Sequence, residues 1–440
     1  MDNAANSTAP AKAQALQAVR GMNDILPADS LRWEFVEETM IRIARQYGYR
    51  NMRAPIVEPT PLFVRSIGEV TDIVEKEMYS FEDKLNGEKL TLRPELTAGL
   101  VRAAINANLT YNGPVRVYSM GQMFRHERPQ KGRERQFSQF DVECFGFDGP
   151  DVDAEIMIMA LRLFRTLGID DIRLEINSLG NVAERAAYRA QLIAYYEANL
   201  SALDDEAKRR LHTNPMRILD SKVASVIEMN KTAPNLLDAL QSESRAHFEG
   251  LQQLLIDCNV PFVVNPRIVR GMDYYNSTAF EFVTDRFIPT SGNPMTICGG
   301  GRYDGLFEQL GGKPTTAIGF GLGIERTLLL LADSPAMTAH AAPDAYLVHA
   351  GESAQKTASA LGESLRDAGL AVAQHAGGGS FKNQMKKADA SGARYALVIG
   401  DNEVAAGTVA VKALRDASGA AIKGEQAIIT SSAVATHLRA

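Results

Sequence analysis

The chain has 440 residues, 45% hydrophobic and 23% charged, with a formal net charge of −6. These are ordinary figures for globular material and give length for about three domains of roughly 150 residues each. A net negative body argues against indiscriminate binding of nucleic acid, though not against a local basic site. The three cysteines, Cys144, Cys258 and Cys298, form no CxxC pair, which disfavours a zinc knuckle or a disulfide framework. No apolar run approaches the roughly 18 residues that span a bilayer. The first residues, MDNAANSTAPAKAQALQAV, lack the apolar core of a signal peptide. Residues 1–18 are expected to form a frayed tail, and a reducing cytoplasm is the expected compartment.

After RGMNDILPADS, the residues Trp33, Val36, Met40, Ile43, Ala44 and Tyr47 recur on one helical face. Asp29 or Ser30 is expected to cap that helix and Gly48 to end it. NMRAPIVEPTPLF reads as one strand broken by prolines, at a sheet edge or an interface, because proline cannot donate to a ladder. KEMYSFED and EKLTLRPELTAGLVRAA read as strand leading into helix. VRVYSM and FSQFDVECFG are β-branched and aromatic and read as the two arms of a hairpin. LEINSLG is a further strand. Residues 181–259 then turn helical and highly charged, an expected inserted module. Strand signals return with FVVNPRIVRGMDYYNSTAFEFV, followed by the glycine cluster CGGGRYDGL. In TAIGFGLGIERTLLLL glycines alternate in a strand before a helix opens. Residues 332–345, alanine-rich with two prolines, read as a linker. Beyond it AYLVHAG, a helix, AVAQHAG, the helix SFKNQMKKADASG, YALVIG, TVAVKAL and a final helix alternate, which is the pattern of a separate α/β domain over 346–440. The core is thus expected in two parts, 19–180 and 260–331.

The arms of the hairpin enclose GQMFRHERPQKGRERQF, residues 121–137, with five cationic side chains, Arg125, Arg128, Lys131, Arg133 and Arg135. Pro129 and Gly132 mark a turn within it. Arginines on a rigid ribbon present planar forks that grip phosphate with paired hydrogen bonds. The tip, with Gln130 and Lys131, carries charge outward, towards something larger than one nucleotide. An isolated basic loop is more often solvated surface; the arginine density, Phe137 and the other clusters favour a ligand. In LRPELT, Glu95 and Thr97 sit at a strand-to-helix corner. The pair suits an ammonium group, and Thr97 equally suits a helix cap. RGMDYYN, residues 270–276, looks like a cleft wall, although a tyrosine pair alone is more often sheet packing. Glycines weaken a strand unless a ligand or backbone must approach closely, which makes GFGLGIER a candidate binding wall. Its Arg326 can lie against a base or reach a terminal phosphate. GGGRYDG offers a similar low-bulk wall with Tyr303. GxxxxGK[ST] and HExxH are absent, and the GFGLG spacing is too close for GxGxxG. The histidines, His126 included, show no metal-ligand spacing and are expected to be structural.

Taken in order, RGMNDILP, TLRPELTAG, FRHERPQKGRERQF, RGMDYYNSTAFEF, GGGRYDGL, GFGLGIER and GGGSFKNQMKKADASGARYALVIG resemble the histidyl-tRNA synthetase family of the bacterial type. The likeness runs from about Val19 to the C-terminus. FRHERP with a later GIER is shared by class II synthetases generally, whereas RGMDYYN is narrower and points to histidine. Class I synthetases are disfavoured because no HIGH-like or KMSKS-like segment occurs. The resemblance implies an α+β catalytic core, an antiparallel sheet flanked by helices, with a helical insertion and a C-terminal anticodon-binding α/β domain. It implies ATP as substrate with Mg2+, no tightly bound protein metal site, histidine and its tRNA as partners, a homodimer joined through residues 31–47 and Pro55, and no membrane.

By the same resemblance Arg125 and Arg270 are the catalytic residues and hold the α-phosphate, and Arg133 and Arg326 stand nearer the outer phosphates. Adenine is expected between Phe137 and Arg326. Glu95, Thr97 and Gln139 are expected to bind the histidine ammonium, and Glu143 and Tyr275, with Tyr303 beside them, the imidazole. An imidazole offers two ring nitrogens, which one carboxylate and one phenol can both read. Gln130, Lys131, Lys382, Lys386 and Lys387 are expected to face tRNA. Two departures from the family pattern are Leu96, where a small residue is usual, and Ser138, where a bulkier one is.

A rival reading is a non-catalytic regulatory paralog of this fold that binds histidine or a partner enzyme. Such proteins lose catalytic arginines and usually the C-terminal domain, and here Arg125, Arg270, Arg326 and that domain are all present. A class II synthetase for another amino acid is the third reading.

Overall fold

The structure, a computed structural model, describes residues 15–69, 71–219, 221, 223–269, 271–286, 294–332, 342–416 and 419–439. The chain divides into two compact units, Met1–Ile25 with Thr39–Leu331, and Leu26–Glu38 with Ala332–Ala440. The first helix, α1 (Pro27–Gln46), starts earlier than the Asp29 or Ser30 cap expected, because proline suits the first helical turn, where its missing N–H is not needed. Val36, Met40, Ile43 and Ala44 form its buried stripe, as their spacing requires. Gly48, at φ +82°, ends it.

The first unit is built on an eight-stranded sheet. Its strands are β1 (Arg50–Asn51), β5 (Val115–Phe124), β6 (Gln136–Phe145), β7 (Arg173–Ser178), β8 (Phe262–Val264), β9 (Asn276–Thr284), β10 (Met295–Arg302) and β11 (Ala317–Gly323). Their order is β1-β5-β6-β11-β10-β9-β7-β8. The six central strands pair antiparallel, as expected, but β1 on β5 and β8 on β7 are parallel, so the sheet is mixed. The proline-broken segment is also not one strand. Asn51 pairs in the large sheet, whereas β2 (Val57–Pro59) joins β3 (Tyr79–Glu82) and β4 (Lys89–Leu92) in a separate three-stranded sheet. The next residues then form α2 (Thr60–Ile67), with proline in its first turn.

Alternation along β6 divides the sheet into two faces. Phe140, Val142 and Cys144 point to one side. There the ring pairs Phe140–Phe320, Phe280–Phe320 and Phe164–Phe282, with centroids 5.4–6.4 Å apart, continue into α4 (Pro150–Thr166). Phe137, Gln139, Asp141, Glu143 and Phe145 point to the other. On that side α3 (Thr97–Asn106) and α9 (Leu306–Gln309) seal one end, with Leu100, Phe145, Ala317 and Phe307 in a common core. The helices α5 (Val182–Glu197), α6 (Asp205–Arg210) and α7 (Ala224–Asn230) have a core of their own, including Tyr188, Leu192, Tyr196 and Leu219. Asn181 and Glu184 start α5 with a reciprocal capping box. The last helix of that stretch, α8 (Ser242–Asp257), returns to α4, where His247 Nε2 meets Asp153 Oδ2 at 2.8 Å. The short α10 (Ile324–Leu330) follows β11.

The second unit holds a five-stranded sheet, β13-β12-β14-β15-β16. Its strands are β12 (Ala345–His349), β13 (Val372–Gln374), β14 (Tyr395–Ile399), β15 (Thr408–Ala413) and β16 (Gln426–Thr430). Leu347, Leu397, Val409 and Val411 pack with α11 (Glu352–Asp367) and α14 (Val434–Arg439) on one face. Val348 and Ala396 pack on the other, against Ala388 of α12 (Phe381–Ala390). Sequence reading finds neither α13 (Asp401–Ala406) nor β16. Residues 333–341 of the expected linker lie outside the described residues, and its last residue, Ala345, opens β12.

Candidate active site

The open face of the large sheet carries a cleft of about 650 Å3. One end is acidic and phenolic. Glu95, 3% exposed, accepts a hydrogen bond from the Ala98 N–H at 2.9 Å, so Glu95, and not Thr97, ties down the start of α3. Thr97 instead donates to Glu143 Oε1 at 2.7 Å, which corrects its reading as a helix cap. The Tyr303 hydroxyl donates to Glu143 Oε2. Glu143 is thus buried beneath the cleft with both oxygens engaged, while Glu95, Thr97, Gln139 and Tyr275 line it. Each carboxylate oxygen has a second lone pair, so these bonds do not exhaust Glu143 as an acceptor. Tyr274 and Tyr275 lie with ring centroids 4.6 Å apart, and Tyr303 stands edge-on to both. The two rings therefore pack on each other just ahead of β9, outside the sheet, and also wall the cleft.

Burial dominates the electrostatics of this end. It raises the Glu95 carboxyl above its ordinary range, against hydrogen bonds from backbone N–H groups that lower it. It raises Glu143 and Asp141 further, each assisted by a neighbouring carboxylate. Tyr303 is pushed well up by burial and by Glu143. Such a set favours a cation, which would relieve the crowding of negative charge.

The other end is cationic. Arg133 bonds Glu127 at 3.0 Å. Arg326 is fixed by two backbone carbonyls, Gly132 at 2.9 Å and Thr296 at 2.7 Å, and burial holds its guanidinium below the usual range. Phe137 offers a ring face, with the Arg125 guanidinium 5.2 Å from its centroid. Arg125 lies where the two ends meet. Its Nε donates to the Pro94 carbonyl at 2.9 Å, and its charge acts both on Glu95 and Asp141 and on Arg326. The tip residues Gln130 and Lys131 are exposed, with Gln130 bridged to Arg133. Lys382, Lys386 and Lys387 are exposed on α12 of the second unit. Arg270 lies outside the described residues.

The alternating glycines of β11 have a steric cause. In register, Gly319 faces Glu143, Gly321 faces Asp141 and Gly323 faces Gln139. A Cβ on Gly319 would collide with Glu143 Oε2, and one on Gly321 would stand 2.6 Å from Gln139 Nε2 and 3.1 Å from Asp141 Oδ1. The bare strand makes room for three polar side chains lying across it. Leu96 belongs to the core with Leu100 and Tyr274, fully buried. Among the cleft residues that escaped the sequence reading are Asp141 and Glu281. Asp141 was detectable as the middle member of the alternation Gln139, Asp141, Glu143. Glu281 sits in FEFV with no local signal.

Comparison with known proteins accords with this geometry. The family model described as histidyl-tRNA synthetase matches residues 21–327. The chain belongs to the histidyl-tRNA synthetase family. An anticodon-binding domain model matches residues 344–429. The histidine–tRNA ligase of Dechloromonas aromatica is 59% identical over 410 residues, covering 93% of this chain and 95% of that protein. That of Bordetella avium is 56% identical over 422 residues, covering 96% and 98%. Among solved structures, apo histidyl-tRNA synthetase of S. aureus superposes with a TM-score of 0.77 at 35% identity, covering 97% of this chain and 100% of that one. The enzyme is therefore a class II aminoacyl-tRNA ligase, and the regulatory reading is not favoured. No helix among the described residues is long and apolar enough to cross a membrane.

Proposed function

We infer that the cleft joins histidine to ATP as histidyl-adenylate and then passes the histidyl group to the terminal ribose of tRNA. The observation that carries this reading is the division of one cleft into a carboxylate and phenol end and an arginine end, with Arg125 between them. An ammonium and an imidazole suit the first end; phosphates suit the second.

Glu95, Thr97 and Gln139 receive the ammonium. Tyr275 and Glu143 read the imidazole, with Tyr303 holding Glu143 in place. A site built on such hydrogen bonds rejects amino acids lacking the matching groups by large factors. Adenine lies between Phe137 and Arg326. The histidine carboxylate attacks the α-phosphorus in line, the bond to the β-phosphate breaks, and pyrophosphate leaves. Arg125 and Arg270 neutralise the charge that develops on the α-phosphate, and Arg133 and Arg326 serve the outer phosphates. Glu127 and Glu281 line the cationic end and act electrostatically on Arg326; carboxylates there fit a divalent ion that arrives with ATP. Mg2+ on the nucleotide supplies further neutralisation of the β- and γ-phosphates.

The rest of the proposal is modular. Gln130 and Lys131 face the acceptor arm of tRNA, and Lys382, Lys386 and Lys387 the anticodon arm. Residues 19–180 and 260–331 form the catalytic core, 181–259 the insertion, 332–345 the linker and 346–440 the anticodon-binding domain. The enzyme works in the cytoplasm as a homodimer joined through α1 and the residues around Pro55, where Ile56 and Val57 are 44% and 39% exposed. Exchange of labelled pyrophosphate into ATP, screened across the amino acids, tests the chemistry. Histidine alone should support it. Histidine binding without exchange would return the regulatory reading.

A further inference from the structure

The acidic end contains one carboxylate that none of the roles above uses. Asp141 is 2% exposed and lines the cleft between Gln139 and Glu143 on the same face of β6. Its Oδ1 is buried without a hydrogen-bond partner. Two neighbours share that condition: Glu95 Oε2 and Gln139 Oε1 are also buried, unpartnered and part of the same cleft. Leaving a buried acceptor unsatisfied is destabilising, and more so for a charged one. Three such atoms in one place call for a donor that is absent until substrate arrives.

A primary ammonium has three N–H donors. We propose that Asp141, in place of Thr97, whose hydroxyl is already given to Glu143 Oε1, is the third ligand of the substrate ammonium, completing with Glu95 and Gln139 a three-acceptor cage that selects a primary α-amine. The proposal rests on the reading above that histidine occupies this end of the cleft. Register supports it. Asp141 lies opposite Gly321, where a Cβ would stand 3.1 Å from Asp141 Oδ1 and 2.6 Å from Gln139 Nε2. The two side chains therefore meet over a strand stripped of bulk. Electrostatics agree: Asp141 and Glu95 each raise the cost of ionising the cluster, and a cation between them removes that cost. The competing role for Asp141 is counter-ion to Arg93, which feels its charge. Arg93 already directs Nε to the Gln122 carbonyl at 2.9 Å and Nη1 to the Ala54 carbonyl at 2.9 Å, and no hydrogen bond links it to Asp141 Oδ1.

The test uses the full-length enzyme with Asp141→Asn, which keeps the shape and removes the charge, beside Glu95→Gln. Two ligands are compared: histidine, in pyrophosphate exchange, and imidazolepropionate, which lacks only the ammonium, as a competitive inhibitor. Asp141→Asn should raise the KM for histidine about tenfold or more, the loss expected for a charge-assisted bond. It should leave the inhibition constant of imidazolepropionate and the KM for ATP within about twofold. Equal weakening of histidine and imidazolepropionate would make Asp141 a support of the pocket, and an unchanged histidine KM would make it a counter-ion; either result overturns the proposal. Glu95→Gln separates this from the parent reading. If Glu95→Gln leaves the histidine KM unchanged, the ammonium does not bind here and the parent reading fails. If Glu95→Gln weakens histidine and Asp141→Asn does not, only the cage fails.

Discussion

Glu143 has two tasks. It is proposed to accept from the imidazole, and it holds the Thr97 and Tyr303 hydroxyls in place. Glu143→Ala should raise the histidine KM by on the order of ten- to a hundredfold, about 1.5–3 kcal/mol, while the KM for ATP stays near normal. Steady-state exchange kinetics measure both, and an unchanged histidine KM would remove Glu143 from the recognition set. Glu325 gives a prediction of a different kind. Burial pushes its carboxyl up to about 7, against a backbone N–H from Ser138 at 2.7 Å. Because the folded form holds its proton more tightly than the unfolded chain, its contribution to stability is full below about pH 4.5. That contribution is lost as pH rises to about 7. Glu325→Gln should therefore melt higher than wild type at pH 8, with the gain shrinking towards pH 5; thermal unfolding at the two pH values reads it. At this scale the sequence was uneven. As cleft residues, Glu95 and Tyr275 were legible because they sit in contiguous motifs, and Gln139 through the family resemblance. The Asp153–Arg302 ion pair, 2.7 Å and nearly solvent-free, was not, because its partners are 149 positions apart and neither stands in a pattern that names the other.

Strands and turns were legible where several residues agree. The β5–β6 hairpin, its turn at Gly132 (φ +72°) and the β11-to-α10 corner all follow from alternation and turn chemistry. The split of residues 50–67 between two sheets and a helix was not, because a few extended residues carry no information about which sheet they join. Likewise β16 and α13 are short, and the exposed alternation of Gln426–Thr430 resembles a loop. The glycines of β11 separate two effects. Gly319→Ala would bring its methyl within 2.5 Å of the Val142 carbonyl, a backbone atom that cannot move aside. It should lower the melting temperature and activity together. Gly321→Ala meets only the side-chain ends of Gln139 and Asp141. It should melt near wild type yet bind histidine more weakly. Parallel melts and histidine titrations distinguish these outcomes, and equal melting losses would contradict the steric account.

The whole molecule couples two modules with separate cores, so its two activities should be separable. Reversing charge at Lys382, Lys386 and Lys387 should lower kcat/KM for tRNA and flatten its salt dependence, while histidine-dependent pyrophosphate exchange persists. Loss of exchange in a folded variant would count against the division of labour. In the first unit, one cleft is proposed to take the amino acid at its acidic end and the nucleotide at its arginine end. A non-hydrolysable analogue of histidyl-adenylate spans both ends and tests it most directly by calorimetric binding. It should bind far more tightly than histidine or ATP alone. Glu95→Gln and Arg125→Ala should each weaken it, whereas free histidine should respond chiefly to Glu95→Gln and free ATP chiefly to Arg125→Ala. Analogue binding no tighter than that of histidine, or indifferent to either substitution, would contradict the account.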